Sequence, residues 1–210
     1  MTPHSKALAL SYFTVLYNIL EGAVAIFGAS TSGSSALFGF GLDSFIESLS
    51  GMVMIWRFWK FAPDEEKEEF ERVEHRAERL VAYSFFILGA YIIFDAGSAL
   101  YWQKAPGPSL IGIGLAIAST IIMPVLFLLK YRLGKSIGSR SLVADSKETL
   151  ACVLLSVALL LGLGTHYLWG LWWVDSITAL VIAYLIVREG IEILKEGASE
   201  CEQENNSPFD

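Results

Sequence analysis

Long apolar stretches alternate with short polar stretches along most of the chain. A run of about 18 or more apolar residues with few charges is long enough to cross the hydrocarbon core of a bilayer. Because lipid cannot satisfy backbone groups, such a run must be a helix or part of a closed barrel, and barrel strands would be short and alternating. The pattern therefore predicts six membrane-spanning helices, at residues 7–28, 34–58, 80–102, 109–129, 142–163 and 168–194.

The composition supports a membrane protein with one domain. Of the 210 residues, 54% are hydrophobic and 18% are charged, whereas soluble domains have about 25% charged residues. Much of the acid is concentrated in residues 64–78 and 196–210. We predict an all-α fold with a six-helix transmembrane domain over residues 1–196 and no soluble C-terminal domain. Residues 197–210 are polar and lack periodicity, which predicts a disordered cytoplasmic tail.

The distribution of Lys and Arg predicts the orientation. Basic residues are concentrated at 57–79 and at 130–140, the second and fourth connections, whereas the other side offers only Lys104. By the positive-inside rule, both termini and these two connections lie in the cytoplasm. We expect a multi-pass integral membrane protein, in the plasma (inner) membrane if the source is bacterial. The sequence has no basic patch with interleaved aromatic residues, so we do not expect a nucleic-acid partner.

Two acidic side chains lie in the middle of the second predicted span. Asp43 and Glu47 are four residues apart and therefore share one face of the helix. Glu47 lies about 15 Å from the cytoplasmic end of the span. A charge at such depth costs about 2.5–3.5 kcal/mol, which makes it a candidate functional group. A divalent cation held by the pair is one interpretation, and a proton-sharing pair used in packing is the other.

The fifth predicted span carries a second group of candidate ligands. Glu148 and Cys152 share a face at depths of about 12 and 18 Å, which bracket the depth of Glu47. The two helices could together form a four-ligand site, and zinc accepts both thiolate and carboxylate ligands. Cys152 could instead be a small buried apolar residue. For Asp145 and Lys147 the simpler interpretation is an ion pair nearer the cytoplasmic mouth, either within the helix or with another helix.

Other polar residues within the spans are less specific. In the first span Asn18 and Glu21 share a face, and Glu21 either lines a cation path or hydrogen-bonds within the bundle. With Asp145, these two residues are our candidates for the cation path. For Asp95 and Asp175 we expect a structural or helix-capping role.

Four motifs in the correct order resemble the transmembrane domain of the cation diffusion facilitator superfamily, over about residues 10–196. They are Asp43 with Glu47, residues 75–80, Asp145 with Glu148 and Cys152, and residues 173–175 with 188–190. The chain differs where Glu replaces a second Asp and where Glu148 and Cys152 replace the usual His and Asp. These ligands and the short form are similar to the transmembrane-protein-163-like branch of zinc transporters.

The resemblance implies a homodimer that exports zinc or a similar divalent cation in exchange for protons. It implies Asp43, Glu47, Glu148 and Cys152 as ligands of Zn²⁺, the transported substrate, with Cd²⁺, Mn²⁺, Fe²⁺ or Co²⁺ as other possible cargoes. A mechanism of alternating access around a midplane site is expected. A non-transporting membrane scaffold or regulator is the alternative. We do not expect an enzyme, because the candidate ligands lie away from a water-borne substrate and no phosphate-binding or nucleophile motif is present.

Overall fold

The computed structural model describes residues 3–60, 67–103, 107 and 109–205, and it consists of six helices in these ranges. The acidic stretches at 64–78 and 196–210 lie outside the described side chains. The predicted all-α, six-helix fold is confirmed. The helices are α1 (Pro3–Ser32), α2 (Ser35–Lys60), α3 (Lys67–Tyr101), α4 (Leu110–Ile137), α5 (Arg140–Trp169) and α6 (Trp173–Asn205).

Four helical segments are long and apolar enough to cross a membrane, namely Ser5–Ser32, Ser35–Trp56, Leu110–Ile137 and Asp145–Trp169. The apolar part of α3 is the shorter segment Phe85–Tyr101. Among the described residues, α6 belongs to neither group, since Asp175 and Arg188 bound its apolar run. The chain is an integral membrane protein, as its composition predicts.

The helices are longer than the apolar runs that predicted them. The fourth connection was expected to span residues 130–140, but α4 continues to Ile137 and ends at Gly138, whose φ is 66°. Ser139 caps the next helix by accepting a hydrogen bond from the Leu142 N–H. Likewise, α6 continues to Asn205, past the predicted end of the transmembrane domain at residue 196. Leaving the bilayer does not end a helix when the polar residues that follow are also good helix formers.

The second helix is the centre of the bundle. It contacts α1, α3, α5 and α6, while the closest pairs are α1 with α2, α4 with α5, and α3 with α6. The main core lies around Phe40 of α2, with Leu155 and Leu159 of α5 and Ile182 of α6 buried against it. This arrangement brings the acidic faces of α2 and α5 into one interior.

Small residues allow two of the helix pairs to approach closely. A Cβ added to Gly22 of α1 would lie 2.9 Å from the backbone oxygen of Gly41 of α2. A Cβ added to Gly162 of α5 would lie 2.1 Å from Oγ1 of Thr178 on α6. Since real side chains do not occupy such distances, both contacts require glycine, as is common where membrane helices pack.

Candidate metal site

A cleft between α2, α5 and α6 brings the four predicted ligands together. It is narrow, with a cavity volume of about 10 Å³. Asp43 and Glu47 line it from α2, and Glu148 and Cys152 line it from α5. The rest of the lining is largely apolar, from residues such as Phe85, Leu155 and Ile186. The spacing along two separate helices therefore translates into one shared site, as small-molecule and ion sites between bundle helices generally do.

The closest contact across the cleft joins Asp43 to Cys152. The Cys152 thiol donates to Oδ2 of Asp43 at 3.0 Å, and both residues are buried. The helical turn that carries Cys152 has a further hydrogen bond, because the Ser156 hydroxyl donates to the Cys152 carbonyl oxygen at 2.6 Å. Ser156 also exchanges a hydrogen bond with Ser119 of α4 at 2.8 Å. A thiol is a weak donor, so Asp43 has a partner that an ion could readily replace.

Glu47 is bonded through one oxygen only. Its Oε1 accepts a hydrogen bond from the Thr149 hydroxyl at 2.7 Å and lies 3.9 Å from Nζ of Lys130. Its Oε2 is buried and has no hydrogen-bond partner among the described residues. An unsatisfied buried oxygen is costly, and it is the atom on this side chain best placed to accept a further ligand.

Glu148 completes the predicted set from a half-buried position. It interacts with the Ser50 side chain of α2. No three His, Cys, Asp or Glu side chains in the described ranges converge closely enough to hold one ion together. Binding an ion with all four groups would therefore require some of these side chains to turn within the cleft.

Asp145 forms an inter-helix ion pair, one of the two arrangements expected for it. Its partner is Lys130 of α4, whose Nζ lies 2.9 Å from Oδ2, while Lys147 is exposed. The reason is the geometry of the α4–α5 packing. Because α4 does not end at residue 129, Lys130 lies on a helical face that meets α5, and its side chain is fully buried.

The candidate path residues lie beside the cleft rather than in its described lining. Glu21 is buried and accepts hydrogen bonds from Tyr17 and Ser44, at 3.0 and 3.1 Å. This agrees with hydrogen bonding inside the bundle, one of its two expected roles. Asn18 is fully buried, and neither atom of its amide group has a hydrogen-bond partner among the described residues. Asp145 is held in its ion pair.

The two outer acids hydrogen-bond near the start of α2, in agreement with the structural or capping role that the sequence predicts. Asp175 of α6 accepts from the hydroxyl of Ser34 and from the backbone N–H of Ser35, the latter at 3.1 Å. Asp95 of α3 accepts from the Ser35 hydroxyl. Both carboxylates therefore lie at the start of α2, where free N–H groups and the helix dipole favour negative charge.

Sequence reasoning missed two charged residues. Glu189 of α6 lines the cleft and is half-buried. It lies in a motif that carried the family resemblance, yet nothing in its spacing gave it a role. Lys130 was counted among the cytoplasmic loop charges. A lysine directly after an apolar run is typical of a membrane boundary, so only the tertiary packing reveals that it is buried.

Comparison of the sequence with known proteins identifies its family. A family model described as the cation efflux transmembrane domain matches residues 11–200. The chain belongs to the cation efflux family. The resemblance to cation diffusion facilitators is thereby confirmed.

Relatives of this cation efflux chain include three with assigned names. The manganese efflux system protein MneS of Bacillus subtilis is 24% identical over 79% of the chain and 58% of the relative. Transmembrane protein 163 of Xenopus laevis is 23% identical over 91% of the chain and 67% of the relative. The cation-efflux pump FieF of Shewanella oneidensis is 24% identical over 77% and 55%. The chain thus spans between about half and two thirds of the length of these relatives.

Proposed function

We propose that the protein exports a divalent transition-metal cation, with Zn²⁺ as its main substrate, by alternating access and in exchange for protons. The observation that carries the proposal is the contact between the Cys152 thiol and Asp43 in a cleft shared with Glu47 and Glu148. Three carboxylates and a thiol are an expensive set of groups to place between membrane helices. A cation that binds all of them offsets that cost.

The ligand chemistry favours zinc. Thiolate and carboxylate groups together suit Zn²⁺, which accepts four ligands in a tetrahedral arrangement. A site made only of oxygens would favour manganese. The name of the Bacillus subtilis relative makes Mn²⁺ the competing substrate, and Cys152 is the residue in the cleft that argues against it.

Proton exchange follows from the same ligands. A carboxylate or thiol must lose its proton to bind a metal, so binding releases protons and protonation expels the metal. Access from alternate sides of the bilayer would convert this competition into antiport. The match to the cation efflux family supports export as the direction, and the homodimer implied by the family resemblance is the expected assembly.

Transport is tested by reconstituting the chain into liposomes that enclose a zinc-sensitive dye and a pH-sensitive dye. We expect Zn²⁺ uptake accompanied by proton movement in the opposite direction. The variant Asp43→Asn should abolish both signals. Its matched control is Glu192→Gln, since the Glu192 side chain is 46% exposed and its ion pair among the described residues is with Arg188. Folded, dimeric protein that moves no zinc, manganese, cadmium, iron or cobalt would support the scaffold role instead.

A further inference from the structure

Lys130 is a fully buried cation within reach of the proposed metal site. Its side chain has no exposed surface. Its ammonium lies 2.9 Å from Oδ2 of Asp145, 2.8 Å from Oγ1 of Thr149 and 3.9 Å from Oε1 of Glu47. Lysine is almost never buried in this way without partners. The three contacts join α4 to α2 and α5 at the level of Glu47.

Thr149 links the ammonium to Glu47. An ammonium group can only donate hydrogen bonds, so the Thr149 oxygen accepts from Lys130. The single hydroxyl hydrogen is then available to Oε1 of Glu47 at 2.7 Å, the shorter of its two acceptor contacts, the other being the Asp145 carbonyl oxygen at 3.2 Å. The carboxylate oxygen thus receives positive charge both from the polarised hydroxyl and directly from the ammonium. This is the oxygen opposite Oε2, which has no described partner.

We propose that Lys130 is an internal cation that competes with the transported metal for Glu47 and thereby lowers the affinity of the site. The inference rests on the proposed function, since it takes Glu47 as a metal ligand. A metal bound at Glu47 lies close to the ammonium and is repelled by it, and in a poorly solvated interior such repulsion is strong. The site is weakened enough to release its cargo, which a transporter requires and a storage protein does not.

Asp145 keeps this arrangement neutral. The carboxylate of Asp145 is closer to the ammonium than Glu47 is, so Lys130 retains a counter-charge when a metal takes Glu47. The Lys130–Asp145 pair has no net charge, but its ammonium group is the part that lies near Glu47, 3.9 Å from Oε1. Lys130 therefore acts on the metal affinity of the site through Glu47, and we do not assign it as a ligand.

The test measures the affinity of the purified chain for Zn²⁺ by calorimetry in lipid nanodiscs. Removing Lys130 alone would leave Asp145 buried and unpaired, which destabilises proteins strongly. The variant is therefore the neutral pair Lys130→Met with Asp145→Asn. Lys130→Gln with Asp145→Asn, which retains a hydrogen bond between the two positions, serves as a second version. Lys130→Arg, which keeps the charge, is the matched control.

We expect both neutral pairs to bind Zn²⁺ about tenfold more tightly than the wild type and to release it more slowly. Lys130→Arg should stay within about threefold of the wild type. Neutral pairs that are folded and bind with unchanged or weaker affinity would overturn the proposal. If in that case Glu47→Gln still abolishes binding, the metal site stands and only the role of Lys130 is wrong. A folded wild type that binds no metal would overturn both.

Discussion

Carboxylates inside this helix bundle occur at two levels, and their surroundings differ. At the start of α2, Asp175 and Asp95 accept hydrogen bonds from serine hydroxyls and a backbone N–H. In the cleft, Asp43 has a thiol as its donor, and Glu47 has one oxygen without a hydrogen-bond partner among the described residues. The first pair is supplied with strong donors from within the protein, while the second is left with capacity for a ligand.

We interpret this difference as a division between structural acids and the acids that we propose as metal ligands. A carboxylate that receives donors from its own fold contributes to stability and has little left to offer an ion. A carboxylate with a weak or missing donor reduces stability, and such residues persist where function needs them. Substitutions at the two levels test this division.

The largest effect is expected from Glu47→Gln. The amide retains the acceptor for Thr149 but cannot bind a cation as a carboxylate does, so zinc transport should fall by at least about a hundredfold. Uptake into liposomes measures the rate, and circular dichroism verifies the helix content. Asp175→Asn, tested in parallel, should transport at nearly the wild-type rate. Equal losses in the two variants would erase the distinction between the two levels.

Cys152→Ser should change the choice of metal. A hydroxyl is a poor substitute for a soft thiolate, so the affinity for Zn²⁺ should fall about tenfold or more, while that for Mn²⁺ should change by less than about threefold. Competition titrations with both ions on the same preparation measure the ratio. A parallel fall for both metals would indicate that Cys152 only packs against Asp43.

Asp175→Asn should affect stability rather than transport. The amide is a weaker acceptor for the donors at the start of α2 and loses the favourable interaction with the helix dipole, which together cost about 1–2 kcal/mol. Thermal unfolding in detergent measures the loss. Asp95→Asn should cost less, because Asp95 accepts one described hydrogen bond from Ser35. A variant of normal stability that fails to transport would make Asp175 part of the ion pathway.

The smallest effect is expected from Glu189→Gln. Its carboxylate lines the cleft from α6 and attracts cations without being one of the four proposed ligands. At metal concentrations below saturation, uptake should fall about two- to threefold, and less in high salt. Glu192→Gln, three residues along the same helix, should have no effect. A hundredfold loss in Glu189→Gln would instead add Glu189 to the ligands.

The sequence predicts the helix count and the pairing of α2 with α5, because both rest on periodicity and depth. Asp43 and Cys152 lie in separate spans, yet their depths already indicate that they could meet. Depth alone does not give the rotation of a helix about its axis. The partner of Asp145 was therefore missed, since choosing Lys130 over Lys147 requires knowing which face of α4 packs against α5.

Helix ends were predicted less well than helix cores. Hydropathy marks where a chain leaves lipid, whereas a helix ends where its backbone is capped, as at Gly138 and Ser139. Predicted and observed helix ends differ by a few residues at most positions. At the end of α4, however, the difference means that Lys130, predicted in a loop, is buried in a helix. Glu189 was missed for another reason, because a single acid near a membrane boundary has no distinguishing spacing.

The contact between Gly22 and Gly41 restricts how the bundle can rearrange. At this contact the backbones of the first two helices meet with no side chain between them that could repack. They would have to travel together as one body, with the acids of α2 carried along. Exposing the cleft to opposite faces of the bilayer then requires α5 to shear past this hairpin, at the seam where Asp43 meets Cys152.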